Sequence, residues 1–151
     1  MNRLLIVEDN HIKLEGLRNF INSTFNDFEI FECTSYNSAS KEIALNYKQY
    51  NLILLDVSMQ IYDISSDESG GDSEPLAGKN ILNQMFLRDI PTKVIVVTMY
   101  ENFVDGTKIK ELDKEFKEKY SENYFGYIFF SHNSIEWQKD LKDLITKTLN
   151  D

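Results

Sequence analysis

Four polar side chains follow three short apolar runs of the sequence, each at the point where its run ends: Glu8, Asp9, Asp56 and Thr98. Asp56 closes the run Leu52–Leu55, which shows no alternation of apolar and polar residues. A short unbroken run of this kind is typical of a strand buried on both faces of a parallel sheet. Since parallel strands end at one edge of the sheet, where open α/β sheets bind ligands, we expect these side chains to form one site.

Carboxylates gathered at one sheet edge predict a site for a hard cation. Acids in a crevice of low dielectric repel one another, and a cation relieves that repulsion. Mg²⁺ takes oxygen ligands and keeps several waters, so one or two carboxylates and a carbonyl suffice to hold it. A plainer alternative for Glu8 and Asp9 is that they stabilise a helix N-terminus through the helix dipole. For the four residues together, we favour the cation site.

The order of the apolar patterns predicts strands that alternate with helices. The strands are expected at residues 4–7, 28–33, 52–55, 94–97 and 127–130. Asn10, Ser38 and Ser134 are candidate N-caps of the helices that follow, and Gly78 is expected to open another helix. Strands alternating with helices indicate a parallel sheet with right-handed crossovers and helices on both faces. No internal repeat is visible, so residues 1–151 are predicted to form one domain.

The composition limits the classes of partner. A formal net charge of -9 argues against nucleic acid as the main partner, because the chain would be repelled by a phosphate backbone. No apolar run is long enough for a bilayer and the first residues do not resemble a signal peptide, so a cytoplasmic protein without a membrane partner is expected. The single cysteine, Cys33, closes a predicted strand and is expected to be a buried hydrophobic side chain. The composition leaves open whether the chain forms a homodimer.

An acidic stretch interrupts the pattern after Asp56. Residues 57–77 are rich in Ser, Gly, Asp and Glu and contain no Lys or Arg, and we name about residues 60–77 the acidic insertion. Such a composition cannot bury enough surface to order itself, and loops of this length are often functional or disordered. We expect residues 57–77 to be mobile without a partner, and the insertion either to bind a basic protein surface or to cover Asp56. A tolerated surface insertion is an equally supported alternative.

An ordered set of motifs resembles a response-regulator receiver domain. The motifs are LIVEDN at 5–10, LLDVSM at 54–59, Gly78, VVT at 96–98 and GYI at 126–128. The resemblance covers nearly the whole chain in the order of the family, so the set is specific although no single motif decides it. It implies a three-layer, doubly wound, five-stranded parallel sheet of the flavodoxin-like type, with strand order 2-1-3-4-5.

The resemblance also implies a role for each residue at the strand ends. Asp56 would accept a phosphoryl group from a sensor histidine kinase or a phosphotransfer protein. Asp9, Asp56 and the backbone carbonyl of Ser58 would bind Mg²⁺, and Glu8 would act through water. Thr98 would donate a hydrogen bond to the phosphoryl group.

Tyr127 would be the aromatic switch on the fifth strand. Movement of Thr98 towards the phosphate would leave a space that Tyr127 could fill, which couples phosphorylation to the shape of the surface. An output protein would then read the phosphorylated state by protein–protein contact.

The sequence departs from the family at the end of the fifth strand. Receivers have a Lys-Pro pair there, whereas this chain has Phe130 and Ser131. Phe130 carries no charge, so the cation that pairs with the acceptor is expected to be missing and the site to depend more on metal. A hydrogen bond to a charged group contributes about 1.5–3 kcal/mol, so its loss predicts switching that is weaker by roughly ten-fold or more. Gln60 and Met99 also replace residue types that are usual in the family.

Two other functions fit parts of the pattern. A pseudo-receiver would use the same fold as an interaction surface without phosphorylation. A haloacid-dehalogenase-like phosphatase also has an Asp after an apolar strand, but it needs a second Asp two residues later, where this chain has Ser58. We therefore expect a signalling protein rather than an enzyme, with self-phosphorylation and autodephosphorylation as its only chemistry.

Overall fold

A parallel sheet forms the centre of the molecule. The computed structural model describes residues 1–63, 73–103 and 105–151. The strands of the central sheet are β1 (Asn2–Val7), β2 (Phe28–Cys33), β3 (Leu52–Leu55), β6 (Lys93–Thr98) and β7 (Tyr124–Phe129), and a small second sheet pairs β4 (Met59–Gln60) with β5 (Ser73–Glu74). The central sheet has the order β2-β1-β3-β6-β7, and all of its pairings are parallel. Counted within that sheet alone, this is the predicted order 2-1-3-4-5.

Helices cover both faces of the sheet, as predicted. They are α1 (His11–Thr24), α2 (Tyr36–Asn46), α3 (Ala77–Leu87), α4 (Ile109–Lys119) and α5 (Glu136–Asn150), with a short 3-10 helix at Tyr47–Gln49. The apolar sides of α1 and α5 pack on one face, and those of α2, α3 and α4 pack on the other. Alternate strand residues supply the two cores, so that Leu4 and Ile6 face α1 while Leu5 and Val7 face the opposite layer. The fold is therefore the predicted three-layer, doubly wound type.

The helix starts follow the capping chemistry only in part. Asn10 caps α1 as predicted, because its side chain accepts a hydrogen bond from the backbone N–H of Lys13 at 3.0 Å. The prediction for Ser38 is wrong: Ser35 caps α2, and Ser38 completes a reciprocal capping box with it. Ser134 does not cap α5, which begins at Glu136 without a side-chain cap. Several neighbouring serines offered the same hydroxyl, and the local pattern did not decide which one begins the helix.

The last strand differs from its prediction at residues 127–130. Strand β7 begins three residues earlier, at Tyr124, and ends at Phe129. A register shift against β6 lies between Val94 and Val96, and it encloses Gly126, whose φ of +130° is accessible to glycine. This bulge breaks the regular alternation from which a strand is predicted. Phe130 lies just beyond the strand, and its N–H donates to the Thr98 carbonyl at 2.9 Å.

The ends of the stretch 57–77 are ordered parts of the fold. Val57 and Ala77 are fully buried, and β4 pairs with β5 in antiparallel fashion. Asp63 accepts a hydrogen bond from the Thr34 hydroxyl at 2.9 Å, which ties the insertion to the loop before α2. Residues 57–63 and 73–77 thus include two short strands and buried side chains, and the mobility of this stretch without a partner stays a prediction. Residues 64–72 lie outside the described part of the chain.

The burial of the single cysteine and the lengths of the helices also bear on the predictions. Cys33 is buried in the core that contains β1 and α2, as predicted, and burial raises the pKa of its thiol to about 11. Within the described residues, the structure contains no helix long and apolar enough to cross a membrane.

Candidate functional site

The register of the sheet brings the acidic residues to one edge. Val7 of β1 pairs with Leu55 of β3, so the residues that follow them, Glu8 and Asp56, are neighbours. Carboxylate oxygens of Glu8, Asp9 and Asp56 lie within 4.8 Å of one another. Glu8 and Asp56 are almost fully buried, with 2% and 6% of their surfaces exposed, whereas Asp9 is half-buried. This is the grouping that the strand ends predicted.

Backbone N–H groups orient each of these carboxylates. Asp56 Oδ1 accepts from Val57 N at 2.7 Å, and Glu8 Oε1 accepts from Asn10 N at 3.0 Å. Asp9 Oδ2 accepts from Gln60 N at 2.9 Å, which connects the acidic cluster to the first residues of the insertion. The carboxylates are therefore held in place by the chain itself.

A lysine that the sequence analysis did not single out enters the same cluster. The ammonium of Lys13, on α1, lies 2.6 Å from Glu8 Oε2 and 3.1 Å from Asp56 Oδ2. It also donates to the Val97 carbonyl at 2.7 Å, and the Lys13 side chain is fully buried. The expectation that the site lacks a cation is therefore wrong. The position of Lys13 in the helical pattern could have identified it from the sequence. It lies one turn before Leu17 on the inward face of α1, where an apolar residue is usual.

The charges of the cluster act on one another. Burial raises the pKa of Glu8, repulsion from Asp56 adds to this shift, and the Lys13 ammonium opposes it. Burial lowers the pKa of Lys13, but attraction to Asp56 and Glu8 outweighs it, so that the pKa of Lys13 lies above its ordinary value. Lys13 is consequently an ammonium ion at neutral pH.

Phe130 occupies the position of the family lysine, and its ring is buried in the apolar core. Its ring packs on Trp137 with the centroids 4.6 Å apart. The ring also lies against α1, where a Cβ on Gly16 would come within 3.4 Å of it. The aromatic side chain thus belongs to the core between the sheet, α1 and α5.

Thr98 and Tyr127 lie at the neighbouring strand ends. Thr98 is fully buried at the end of β6, and its Oγ1 accepts from Tyr100 N at 3.2 Å. Tyr127 is half-buried and pairs in register with Val96, two residues before Thr98. Both side chains therefore lie on the same face of neighbouring strands, as a coupled pair requires.

A cleft opens beside the acidic cluster. Its volume is about 440 Å³, and it is lined by residues of the loops after β3 and β6, among them Ser58, Ser73, Tyr100 and Phe103. Ser58 follows Asp56 by two residues and is partly exposed there. The cleft gives a route by which a ligand could approach the strand ends.

Gly78 sets the distance between α3 and the end of β3. Its N–H donates to the Val57 carbonyl at 2.7 Å. A Cβ at this position would lie 2.5 Å from the Asp56 carbonyl oxygen and 3.0 Å from Val57 Cα. Only glycine permits this approach, which explains why a glycine opens the motif that follows the insertion.

A doubly wound sheet that gathers acids at the end of its central strand is the architecture of response-regulator receiver domains. The response regulator domain of CheB from Thermotoga maritima is similar over 100% of this chain and 98% of that one, with a TM-score of 0.67 and 17% identity. The CheX-CheY-BeF3-Mg complex from Borrelia burgdorferi contains a chain that matches with a TM-score of 0.65 and 13% identity, over 97% of this chain and 87% of that one. These likenesses establish the fold.

Sequence similarity establishes the family. The Detocs response regulatory protein DtcB from Enterobacter cloacae is 31% identical over 149 residues, which cover 96% of this chain and 99% of that protein. No family model matches the sequence. On the similarity to DtcB and the shared fold, the chain belongs to the response-regulator receiver family of two-component systems.

Proposed function

We propose that Asp56 accepts a phosphoryl group from a sensor histidine kinase or a phosphotransfer protein, and that the chain signals to an output protein by contact. The observation that carries this proposal is the cluster at the end of the central strand, where carboxylate oxygens of Glu8, Asp9 and Asp56 lie within 4.8 Å of one another. Family membership favours this receiver function over a dehalogenase-like phosphatase.

The donor set suits Mg²⁺. The groups available are carboxylate and carbonyl oxygens, which are the ligands that this hard cation takes. Asp9, Asp56 and the Ser58 carbonyl would hold it, with Glu8 acting through water. Mg²⁺ supplies, when bound, neutralisation of charge on the oxygens of the transferring phosphoryl group. Support also comes from the Borrelia burgdorferi neighbour, whose complex contains Mg²⁺ together with the phosphoryl mimic BeF3.

The transfer itself requires little beyond positioning. A carboxylate oxygen of Asp56 attacks phosphorus of the donor phosphohistidine, and the phosphorus–nitrogen bond breaks as the oxygen–phosphorus bond forms. The imidazole of the donor keeps the electron pair of the broken bond. The Val57 N–H holds the Asp56 carboxylate in place for this attack.

Thr98 and Tyr127 then convert the new phosphate into a surface change. The Thr98 hydroxyl, whose oxygen accepts from Tyr100 N, donates its O–H to a phosphoryl oxygen. Tyr127 moves into the space that Thr98 leaves on the same face of the sheet. The output protein recognises the altered surface around β7.

Intact-mass analysis after incubation with acetyl phosphate and Mg²⁺ tests this function. We expect a phosphoryl adduct on the wild-type chain that disappears when Mg²⁺ is chelated. The Asp56→Asn variant, which keeps the shape of the side chain but not its charge, should carry no adduct. An unmodified wild-type chain, or equal modification of Asp56→Asn, would support the pseudo-receiver instead.

A further inference from the structure

We propose that Lys13 supplies the cation of the phosphoryl site, from helix α1 rather than from the end of the last strand. In this role its ammonium pairs with the Asp56 carboxylate before transfer and with the phosphoryl oxygens afterwards. The inference rests on the proposed phosphorylation of Asp56 and names a further positioning residue for it.

The bonds of Lys13 place its charge at the reacting group. The ammonium of Lys13 donates a hydrogen bond to the Val97 carbonyl and forms ion pairs with Glu8 and Asp56. The bond to Val97 fixes the nitrogen beside the end of β6, one residue before Thr98. Lys13 therefore contacts both Asp56 and the strand that ends in the proposed hydroxyl donor.

A purely structural role for Lys13 explains less of this arrangement. A single carboxylate is enough to pair a buried lysine, and Glu8 already lies 2.6 Å away. The additional contact with Asp56, at 3.1 Å, is longer than the usual 2.7–2.9 Å for a charge-assisted hydrogen bond. This looser contact leaves the ammonium able to exchange the carboxylate oxygen for a phosphoryl oxygen.

Phe130 and Gly16 complement this lysine. Phe130 fills the position from which the family lysine would extend, and its ring lies against Gly16, about one turn beyond Lys13 on α1. A larger residue at position 16 would meet that ring. A Cβ at position 16 would make ordinary van der Waals contact with the ring, so Phe130 packs beside the turn of α1 that follows Lys13.

Phosphorylation increases the charge that Lys13 neutralises. Transfer converts the single negative charge of the carboxylate into the larger negative charge of an acyl phosphate. The ammonium keeps its proton and its contact with Glu8 throughout. Only its contact with the Asp56 carboxylate is replaced, by a contact with a phosphoryl oxygen. No additional reactant is needed for this step.

The test compares beryllofluoride binding, measured by fluorine NMR in the presence of Mg²⁺, in the wild-type chain and in Lys13→Met. We expect at least about ten-fold weaker binding by the variant, because a hydrogen bond to a charged group is lost. Mg²⁺ binding alone, followed by titration, should not weaken, since the change removes a competing positive charge. The matched control is Lys117→Met, which removes an exposed lysine paired with Asp113 on α4 and should bind as wild type does.

A double variant distinguishes a charge at the site from packing of α1. Residue 130 is bonded to the end of β6, next to the carbonyl that Lys13 now contacts. Lys13→Met with Phe130→Lys returns an ammonium from the strand side and should recover most of the lost affinity. Lys13→Gln, which can still hydrogen-bond Glu8, should show the same loss as Lys13→Met and serves if the methionine variant unfolds in circular dichroism.

The results separate this inference from the function on which it rests. Equal beryllofluoride binding by wild type, Lys13→Met and Lys13→Gln would refute the role of Lys13 and leave phosphorylation of Asp56 intact. Absence of binding by the wild-type chain itself would refute both. Loss in the single variants with recovery in the double variant is the result expected.

Discussion

At the residue scale, the charge balance of the site depends on a helix lysine. Glu8 and Asp56 share the ammonium of Lys13, while Asp9 takes its hydrogen bond from the Gln60 backbone and keeps no cationic partner among the described residues. The cluster therefore keeps a net negative charge, and we expect Mg²⁺ to stabilise the Asp9 carboxylate most. Weaker switching stays a prediction, but the absence of a cation, from which it was argued, is contradicted by the contact of Lys13 with Asp56.

A substitution at Gly78 tests how closely the acceptor is held. In Gly78→Ala the new Cβ would lie 2.5 Å from the Asp56 carbonyl oxygen, so α3 or the acceptor strand must move. We expect a loss of about 1–3 kcal/mol in the free energy of unfolding, as for other overpacked sites, and weaker Mg²⁺ binding. Chemical denaturation and Mg²⁺ titration measure the two effects.

Asn80→Ala is the matched control for this substitution. Asn80 is exposed on the same helix, and alanine there should raise stability by a few tenths of a kcal/mol through helix propensity alone. If Gly78→Ala is as stable as Asn80→Ala and binds Mg²⁺ as wild type does, the close approach of α3 to Asp56 is not required for stability or for Mg²⁺ binding.

The residues at the strand ends were predictable because position in the chain determined them. The apolar run of β3 ends in Asp56 in the sequence and in the structure alike, and register then brings Glu8 beside it. Lys13 was missed because its burial depends on acids from two strands and a carbonyl from a third, far apart in sequence. No local pattern contains that information. A lysine on the inward face of a helix nevertheless indicates that an acidic partner lies in the core, because a buried ammonium must be paired.

At the element scale, β2, with polar residues within its pattern, and β3, with an unbroken apolar run, were predicted closely, and strands with irregular pairing were not. The predicted limits of β2 and β3 agree with the structure because their patterns are local. The pairing of β4 with β5 was missed because each strand has only two residues and residues 61–72 lie between them in the sequence. The bulge in β7 likewise arises from pairing with β6 rather than from its own sequence.

The bulge leads to a second prediction, at Gly126. Its φ of +130° strains any residue with a Cβ, and a Cβ there would also touch Leu144 at 3.4 Å. We expect Gly126→Ala to lower the free energy of unfolding by about 1–3 kcal/mol. Because the bulge sets which face Tyr127 takes, backbone NMR shifts should change along β7 as well.

Gly106 provides the comparison. It also has a positive φ, of +87°, but a Cβ there would meet nothing within 4 Å. Gly106→Ala should therefore destabilise the chain without shifting the resonances of β7. Shifts at Tyr127 that are the same in both variants would argue against a specific role for the bulge.

At the scale of the whole molecule, the excess of acid makes two effects of Mg²⁺ overlap. Divalent cations screen a chain of net charge -9 in bulk, and they also bind the cluster of Glu8, Asp9 and Asp56 if the proposal is correct. Bulk screening depends on total charge, whereas site binding depends on particular carboxylates. Single substitutions of equal charge separate the two.

We predict that Mg²⁺ stabilises the folded chain through Asp9. A ligand that binds only the folded state adds about 1.4 kcal/mol when its concentration is ten times its dissociation constant, which raises the midpoint of thermal unfolding. Asp9→Ala should abolish this rise, because it removes the carboxylate that Lys13 leaves unpaired within the described structure. Asp140→Ala, which removes an exposed acid on α5, should retain it. Scans with Na⁺ at matched ionic strength correct for screening, and an equal response to Mg²⁺ in both variants would show that the stabilisation comes from screening of the net charge rather than from a metal bound at the strand ends.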